Sequence, residues 1–449
     1  MRKLFGTDGI RGVAGEYPLD KKTIHAVGHA LGDHLSDGLV SSGARRVIIG
    51  QDTRESSGWI ADALAQGLAE AGVEIENAGV ITTPGVAYLA RVQKFSAGVV
   101  ISASHNPWQD NGIKVFGGDG YKLPDHIELE IEKELFALLS AGQKEAGSSH
   151  SLHVNESMRP AYIQWLARSI PGGERLKLVV DCANGAAAAL ASEVFSRSGL
   201  SAEFINNTPN GRNINENCGA LHPNVVARET QARQADLGIC FDGDADRVLF
   251  ADADGKVVDG DAVLLLLARE MKRQGGLATD TVVATTMSNM GLEIALRQSG
   301  VRMLRAQVGD KYVLEEMRAC GAVLGGEQSG HIILSQKATT GDGLLTALMV
   351  VEVLARAGKP ISSLIADLKV FPQVIKNVRV RDKQPLAQIA PVQAAIEEAE
   401  RDLNGSGRVV VRYSGTEALA RVMIEAESRE KMEKHADSIV HAIRQSLGS

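Results

Sequence analysis

Short apolar segments alternate with helical stretches along most of this chain. The apolar segments are RRVIIG at 45–50, SAGVVIS at 96–102, LKLVVD at 176–181, DLGICF at 236–241 and TVVATT at 281–286. Helical patterns follow at 59–71 and in the alanine-rich stretch 186–197. Strands that alternate with helices are typical of α/β units, so the pattern predicts an α/β fold whose strands are largely buried.

Several breaks in this pattern divide the chain into segments. At about 150 residues per domain, a chain of 449 residues contains roughly three domains or four short ones. Polar residues fill 141–160, prolines flank a short helix at 357–373, and DADG at 252–255 has the composition of a hairpin turn. We therefore expect domains at 1–152, 153–253, 254–368 and 369–449.

The last segment differs from the others. Two helical stretches at 386–403 and 429–447 accompany strands with the sequences NVRVR, RVVVRYS and ALARVMIEA. This mixture predicts a smaller α+β domain rather than another α/β unit.

Charge and cysteine content narrow the function. The formal net charge of −7 argues against nucleic-acid binding, and an acidic protein that binds anions must concentrate its cations locally. The cysteines form no CxxC pair, which argues against a zinc or redox site and favours free thiols.

The N-terminus lacks an apolar signal region, and the apolar run at 262–268 is too short for a bilayer. We expect a cytoplasmic protein without a membrane partner.

Three carboxylates follow one apolar strand in DGDADR at 242–247. Extended backbone would aim Asp242, Asp244 and Asp246 in the same direction. Converging carboxylates repel each other and need a cation, and hard oxygen ligands suit Mg²⁺. An EF-hand is excluded because Arg247 and Ala253 occupy its required Gly and Glu positions. A DxDx[TV] phosphatase motif fits poorly because Asp246 takes its last position, and a solvated acidic turn is the remaining alternative.

A second strand ends in SASHNP at 102–107, which is followed by DNGIK ending at Lys114. A serine such as Ser104 can serve in phosphoryl transfer if it is exposed, near a metal and flanked by cations. By itself the segment would equally suit an ordinary Ser/Asn turn. A Ser-His-Asp hydrolase fits poorly, because the chain has no GxSxG elbow.

Two glycine-rich turns offer further polar groups. FGTDGIRG at 5–12 contains Arg11 but lacks the Walker spacing, and a plain N-terminal turn is the alternative. GGEQSGH at 325–331 lies between apolar segments, which predicts a buried turn between strands. Its Glu327, Ser329 and His331 suit hydrogen bonds to sugar hydroxyls, although a plain hairpin turn remains open.

The segment RYSGTEALAR at 412–421 supplies the cations that an anionic substrate would need. Arg412, Ser414, Gly415 and Thr416 provide a guanidinium, hydroxyls and approachable backbone N–H groups. A bidentate arginine beside a nest of donors is chemistry for a phosphate, and Arg421 adds a second cation.

Together these motifs resemble the α-D-phosphohexomutase superfamily. FGTDGIRG, ISASHNP with DNGIK, DGDADR, GEQSGH and RYSGTE stand in the family's order between residues 5 and 421. One departure is Ala418, where relatives often have proline. The resemblance implies three related α/β domains with mixed sheets and a smaller α+β C-terminal domain, arranged around a central cleft.

The resemblance also implies a role for each motif. Catalytic roles fall on Ser104, which is phosphorylated in the active enzyme, and on Lys114, Arg11 and His331. The Mg²⁺ ligands are Asp242, Asp244, Asp246 and the Ser104 phosphate. Substrate-binding roles fall on Arg247, Glu327, Ser329, Arg412, Ser414, Gly415, Thr416 and Arg421. We expect Lys114 to take the hydroxyl proton, which requires a pKa lowered by desolvation and by Arg11.

The implied reaction moves a phosphoryl group between two positions of a hexose phosphate through a 1,6-bisphosphate. FGTDGIRG and GEQSGH resemble the branch that acts on glucosamine phosphates more than the glucose and mannose branches. We therefore expect glucosamine 6-phosphate and glucosamine 1-phosphate as substrates, Mg²⁺ as cofactor and glucosamine 1,6-bisphosphate as intermediate, in the supply of UDP-N-acetylglucosamine for the cell wall. The alternatives are a glucose or mannose phosphomutase, a metal-dependent phosphatase, and a silent sugar-phosphate binding protein. A homodimer is left open.

Overall fold

The chain forms two compact units. The structure, a computed structural model, describes residues 4–6, 8–35, 45–141, 152–168, 176–414 and 418–448. The larger unit comprises Met1–Thr285 with Leu304–Ile365, and the smaller one Thr286–Met303 with Ala366–Ser449.

The first sheet of the larger unit has the strand order β1-β5-β4-β2-β3. Its strands are β1 (Ile10–Val13), β2 (Arg46–Gln51), β3 (Glu74–Val80), β4 (Ala97–Ile101) and β5 (Asp110–Gly117). The helices are α1 (Lys21–His34), α2 (Ser57–Glu70), α3 (Thr83–Val92) and α4 (Asp125–Ser140). Strand β2 runs parallel to β3 and β4, whereas β5 is antiparallel to β4 and β1. The sheet is therefore mixed.

The second sheet repeats this design in the order β10-β9-β8-β6-β7. Its strands are β6 (Leu178–Asp181), β7 (Ala202–Ile205), β8 (Leu237–Phe241), β9 (Val248–Asp252) and β10 (Val257–Val258). The helices are α5 (Met158–Arg168), α6 (Ala191–Arg197) and α7 (Pro223–Ala232). Strands β9 and β10 are antiparallel, which confirms the predicted hairpin at DADG. The predicted helical stretch 186–197 is split, because Ala186–Ala189 forms a 3₁₀ turn before α6.

The third sheet has the order β12-β11-β13-β14. Its strands are β11 (Thr281–Thr285), β12 (Arg302–Ala306), β13 (Leu324–Gly326) and β14 (Ile332–Leu334). The helices of this region are α8 (Gly260–Arg273), α9 (Met290–Gln298), α10 (Asp310–Cys320), α11 (Gly343–Ala357) and α12 (Ile361–Leu364), of which α9 belongs to the smaller unit. The antiparallel pair β13–β14 confirms the turn between strands that was predicted for GGEQSGH. The turn is buried at Glu327 and His331, whereas Ser329 is exposed.

The smaller unit contains an antiparallel sheet of the order β15-β17-β16. Its strands are β15 (Gln373–Arg379), β16 (Gly407–Tyr413) and β17 (Leu419–Ala426), and its further helices are α13 (Ala390–Leu403) and α14 (Arg429–Leu447). The helix predicted at 429–447 is confirmed, and so is the α+β character of this segment.

Local sequence explains where many helices begin. A side-chain oxygen accepts a hydrogen bond from a first-turn N–H group at Asp20, Thr82, Asp259, Asn289, Asp342 and Ser428. Such caps satisfy donors that the helix cannot satisfy itself.

The mixed α/β architecture with a smaller last domain is confirmed, whereas the exact domain boundaries and the central cleft stay predictions. The cysteines are free thiols, as expected. Among the described residues, no helix combines the length and apolarity that crossing a membrane requires.

Candidate functional site

Ser104 meets the aspartate motif across a long stretch of sequence. Its Oγ donates a hydrogen bond of 2.7 Å to Oδ2 of Asp242, which lies 138 residues further along the chain. Ser104 follows β4, Asp242 follows β8, and the carboxyl ends of such strands are where ligands collect in α/β sheets. Ser104 is only 1% exposed, although we expected an accessible hydroxyl, because the aspartate loop lies directly against it.

The aspartates converge by a tight turn and not by extended backbone. Ala245 has a φ of 56°, and its N–H donates to the carbonyl oxygen of Asp242 at 3.1 Å. The prediction of an alternating extended segment is therefore wrong, since the chain reverses within the motif. The convergence itself is present: one oxygen from each of Asp242, Asp244 and Asp246 lies within 4.8 Å of the others.

The electrostatics of this cluster fit a cation. Burial, together with the charges of Asp246 and Asp244, raises the pKa of Asp242 well above its ordinary value. Oδ1 of Asp244 and Oδ1 of Asp246 are buried and have no hydrogen-bond partner among the described residues. Buried acceptors without donors are costly, and hard oxygen ligands favour a divalent cation. The aspartates thus have the donor set of a metal site.

Lys114 lies inside the cluster. Its Nζ is 2.8 Å from Asp244, 3.0 Å from Asp8 and 3.5 Å from Asp246. Desolvation alone would lower its pKa, but the carboxylates of Asp244, Asp8 and Asp246 raise it well above the ordinary value. The predicted lowering is therefore wrong in this arrangement, because the acidic neighbours outweigh both burial and Arg11.

The Asp244 carboxylate accepts hydrogen bonds from two side chains, one at the start of α3 and one in β5. Thr83 Oγ1 donates to its Oδ2 at 2.5 Å, and Lys114 Nζ donates to the same oxygen at 2.8 Å. Burial would raise the pKa of Asp244, but the Lys114 charge and these hydrogen bonds lower it to about 2. Sequence reasoning missed Thr83, which has no motif around it.

Asp8 connects the N-terminal motif to the third sheet region. Its carboxylate pairs with Arg11, with Lys114 and with Lys122. Lys122 also pairs with Asp310 at 2.5 Å, and Asp310 lies 3.7 Å from Nε2 of His331. We missed Asp8, although FGTDGIRG includes it; Lys122 and Asp310 carry no local signal.

Arg247 connects the turn GGEQSGH to the segment SASHNP at 102–107, hereafter the serine loop. Arg247 forms a β-bridge with His331, and its Nη1 donates to Nδ1 of His105 at 3.2 Å. Burial, Arg247 and Arg11 lower the pKa of His105 to about 4, so its ring is neutral and Nδ1 accepts. Within the turn, the Glu327 carboxylate accepts from Gly309 N–H at 3.1 Å and from Ser329 Oγ at 3.4 Å. Ser104, the aspartates, Arg247 and the GGEQSGH turn thus occupy one region of the larger unit.

The remaining predicted residues belong to the smaller unit. Arg412 in β16 lies directly opposite Arg421 in the neighbouring strand β17. Like charges opposite each other on one sheet face are unfavourable, so this pair suits an anion. Ser414 is 4% exposed, while the predicted Gly415 and Thr416 lie outside the described residues.

Four profiles of the phosphoglucomutase/phosphomannomutase family match the chain. The α/β/α domains I, II and III match residues 2–141, 160–255 and 259–371, and the C-terminal domain matches 375–442. The chain belongs to this family. Within the α-D-phosphohexomutase superfamily it groups with the bacterial phosphoglucosamine mutases, which confirms the resemblance of the motifs.

Individual relatives cover the whole chain. The phosphoglucosamine mutase of Koribacter versatilis is 60% identical over 100% of this chain and 98% of its own. That of Solibacter usitatus is 51% identical over 100% and 99%. Among solved structures, a phosphoglucomutase/phosphomannomutase family protein from Burkholderia thailandensis gives a TM-score of 0.78 at 25% identity, over 100% of both chains. N-acetylphosphoglucosamine mutase of Aspergillus fumigatus, in complex with GlcNAc-6P and magnesium, shares the fold with a TM-score of 0.63 at 20% identity, over 99% of this chain and 96% of its own.

Proposed function

We propose that this protein is a phosphoglucosamine mutase, an isomerase that interconverts glucosamine 6-phosphate and glucosamine 1-phosphate through phospho-Ser104. One observation supports the mechanism above all: Ser104 Oγ hydrogen-bonds the aspartate cluster at 2.7 Å. A binding protein would need neither a nucleophile nor a metal at that position. The relatives named phosphoglucosamine mutase, at 60% and 51% identity, support the choice of an amino sugar.

In the forward half-reaction, phospho-Ser104 gives its phosphoryl group to the free hydroxyl of the bound monophosphate. The bond from phosphorus to Ser104 Oγ breaks, and a bond from phosphorus to the sugar oxygen forms. The hydroxyl proton passes to a basic group of the site, and Ser104 Oγ takes up a proton. The resulting 1,6-bisphosphate turns over, and Ser104 then accepts the other phosphoryl group by the reverse steps.

The charged residues have separable roles in this scheme. Asp242, Asp244, Asp246 and the phosphate on Ser104 would hold Mg²⁺, which neutralises charge on the phosphoryl group when bound. Lys114 is held protonated by its acidic neighbours, so we assign it to stabilising the charge of the transferring phosphoryl group. Arg11 lies beside the serine loop, with its Nη1 3.3 Å from Oδ1 of Asn106, and can approach the same phosphoryl group.

His331 and the neighbouring turn are suited to the sugar. The ring nitrogens of His331 are buried without a hydrogen-bond partner among the described residues, so they remain able to contact a hydroxyl or carry its proton. Glu327 and Ser329 would accept and donate hydrogen bonds to sugar hydroxyls, and Arg247 would contact the substrate beside them. The substrate's non-reacting phosphate would bind Arg412, Ser414, Gly415, Thr416 and Arg421.

Four measurements test this function. Intact mass and fragmentation should place phosphate on Ser104, and Ser104→Ala should abolish interconversion; near-full activity of that variant would refute the mechanism. Turnover of the 6-phosphates of glucosamine, glucose and mannose, measured side by side, should favour glucosamine. Stoichiometric release of inorganic phosphate would identify a phosphatase instead.

A further inference from the structure

The segment QDTR at 51–54 contains the last residue of β2 and the turn after it, and its Asp52 and Arg54 contact the serine loop. The side chains of Arg54 and Asp52 are both fully buried, and Arg54 Nε donates to Asp52 Oδ2 at 2.8 Å. The remaining nitrogens of the guanidinium donate to backbone carbonyl oxygens of Ser104, Asn106, Pro107 and Asp110. One buried arginine therefore ties together the whole loop from the serine to the start of β5.

The backbone at Ser104 needs such support. Its φ is 53°, in the left-handed region that a residue with a Cβ atom adopts only at an energetic cost. A strained conformation of this kind persists only where surrounding contacts determine it.

The carbonyl oxygen of Ser104 receives donors from two separate segments. Arg54 Nη2 donates to it at 3.0 Å, and Asn215 Nδ2, from the loop after β7, donates at 2.9 Å. Gly243 of the aspartate motif packs against the same oxygen, since a Cβ atom there would lie 2.4 Å away. The position of this carbonyl group thus sets the distance between the serine and the aspartates.

The amide side of Ser104 is fixed as well. Its N–H donates to Ser102 Oγ at 2.9 Å, and Ser102 Oγ donates to Asp52 Oδ2 at 2.6 Å. Both peptide groups flanking the Ser104 Cα are therefore connected to the Asp52–Arg54 pair.

We propose that Arg54 and Asn215 are positioning residues for phosphoryl transfer: they hold Ser104 in its left-handed conformation, from which Oγ reaches Asp242. This inference rests on the proposed role of Ser104. Both side chains bind the carbonyl oxygen of Ser104 and leave Oγ to its contacts with Asp242 and His105. Their loss should therefore slow the chemical step and leave substrate affinity unchanged.

The test uses the full-length enzyme with Arg54→Lys and Asn215→Ala. Lysine keeps the charge beside Asp52 but loses the planar fork that reaches several carbonyl groups. The matched control is Arg408→Lys in the smaller unit, where a similarly placed arginine pairs with Glu425 at 2.8 Å and donates to the carbonyl oxygens of Thr286 and Ser288. If Arg54→Lys does not fold, the activity of Asn215→Ala tests the positioning role by itself, because the loss of the Asn215 side chain leaves no unpaired charge in the interior.

The readouts are kcat, KM for glucosamine 6-phosphate, and the single-turnover rate of transfer from isolated phospho-Ser104 enzyme. A displacement of about 1 Å can cost about 100-fold in rate, so we expect kcat to fall about 10- to 100-fold for Arg54→Lys and about tenfold for Asn215→Ala. The single-turnover rate should fall in parallel, with KM within about twofold of wild type.

Two results would overturn the positioning role. One is wild-type kcat in folded Arg54→Lys or in Asn215→Ala. The other is a fall in kcat that Arg408→Lys reproduces at the same loss of thermal stability. A wild-type enzyme without phosphate on Ser104, together with an active Ser104→Ala variant, would instead refute the proposed function and the positioning role with it.

Discussion

Asp342 should lower the stability of this protein at neutral pH, and its replacement by asparagine should reverse that effect. Asp342 is 1% exposed, caps the N-terminus of α11 through Leu345 N–H, and accepts a 2.8 Å hydrogen bond from the Tyr162 hydroxyl. Burial outweighs these donors and raises its pKa from 3.8 to about 6. Between about pH 4 and 6 the folded state therefore holds a proton that the unfolded chain has already released, and at neutral pH the folded protein carries a buried carboxylate instead.

The direction of the pH dependence of stability follows from this difference in pKa between the folded and the unfolded state. Below pH 4 the carboxyl group is protonated in both states and contributes nothing. Between pH 4 and 6 it ionises only in the unfolded chain, so the folded state is progressively destabilised, and the cost is complete above pH 6. A shift from 3.8 to about 6 corresponds to about 3 kcal/mol. An asparagine side chain at this position can still accept from Leu345 N–H and can donate to the Tyr162 oxygen, so Asp342→Asn removes most of that cost.

Urea unfolding at pH 7.5 and pH 4, followed by the combined fluorescence of the three tryptophans, measures this difference. Trp165 contributes a signal from this region, because it stacks 5.8 Å from the Tyr162 ring. We expect Asp342→Asn to raise the free energy of unfolding by about 1–3 kcal/mol at pH 7.5 and to change it little at pH 4. The matched control is Asp20→Asn, which makes the same change at the partly exposed cap of α1. Equal effects of Asp342→Asn at both pH values would refute the reasoning.

Three further predictions concern the aspartate site. Gly243→Ala places a Cβ atom 2.4 Å from the carbonyl oxygen of Ser104, so it should separate the loops and lower kcat about 100-fold or more in a folded protein, as steady-state kinetics and circular dichroism would reveal. Thr83→Val removes a donor to Asp244 and should weaken the apparent Mg²⁺ affinity about 10- to 100-fold in a metal titration of activity. Asp244→Asn should weaken the apparent Mg²⁺ affinity further. If that variant kept full activity without added metal, the assignment of Asp244 as a metal ligand would be wrong.

Much of the fold was predictable because the signals are local. Apolar segments such as those of β4 and β8 are short, continuous and followed by polar turns, so both the strands and the motifs at their ends could be placed from sequence. The helix α14, Arg429–Leu447, has the bounds predicted for the stretch 429–447, and the Ser428 side chain caps its first turn.

What sequence reasoning missed depends on contacts between distant residues. The conformation of DGDADR was predicted wrongly because the left-handed φ of Ala245 has no signal in its residue type. The Lys114 pKa was predicted in the wrong direction because Asp8 and Asp244, which raise it, lie far away in sequence. The sequence did not reveal the contact between Arg54 and Ser104, because the two residues are 50 positions apart in the chain.

The central claim is that Ser104 donates a phosphoryl group to the sugar beside the aspartates. The most direct measurement mixes purified phosphorylated enzyme with glucosamine 6-phosphate and follows both the protein and the sugar by mass spectrometry. The account predicts that phosphate leaves Ser104 as an equal amount of glucosamine 1,6-bisphosphate appears. Formation of the bisphosphate while Ser104 keeps its phosphate, or its equal formation by Ser104→Ala, would contradict the account.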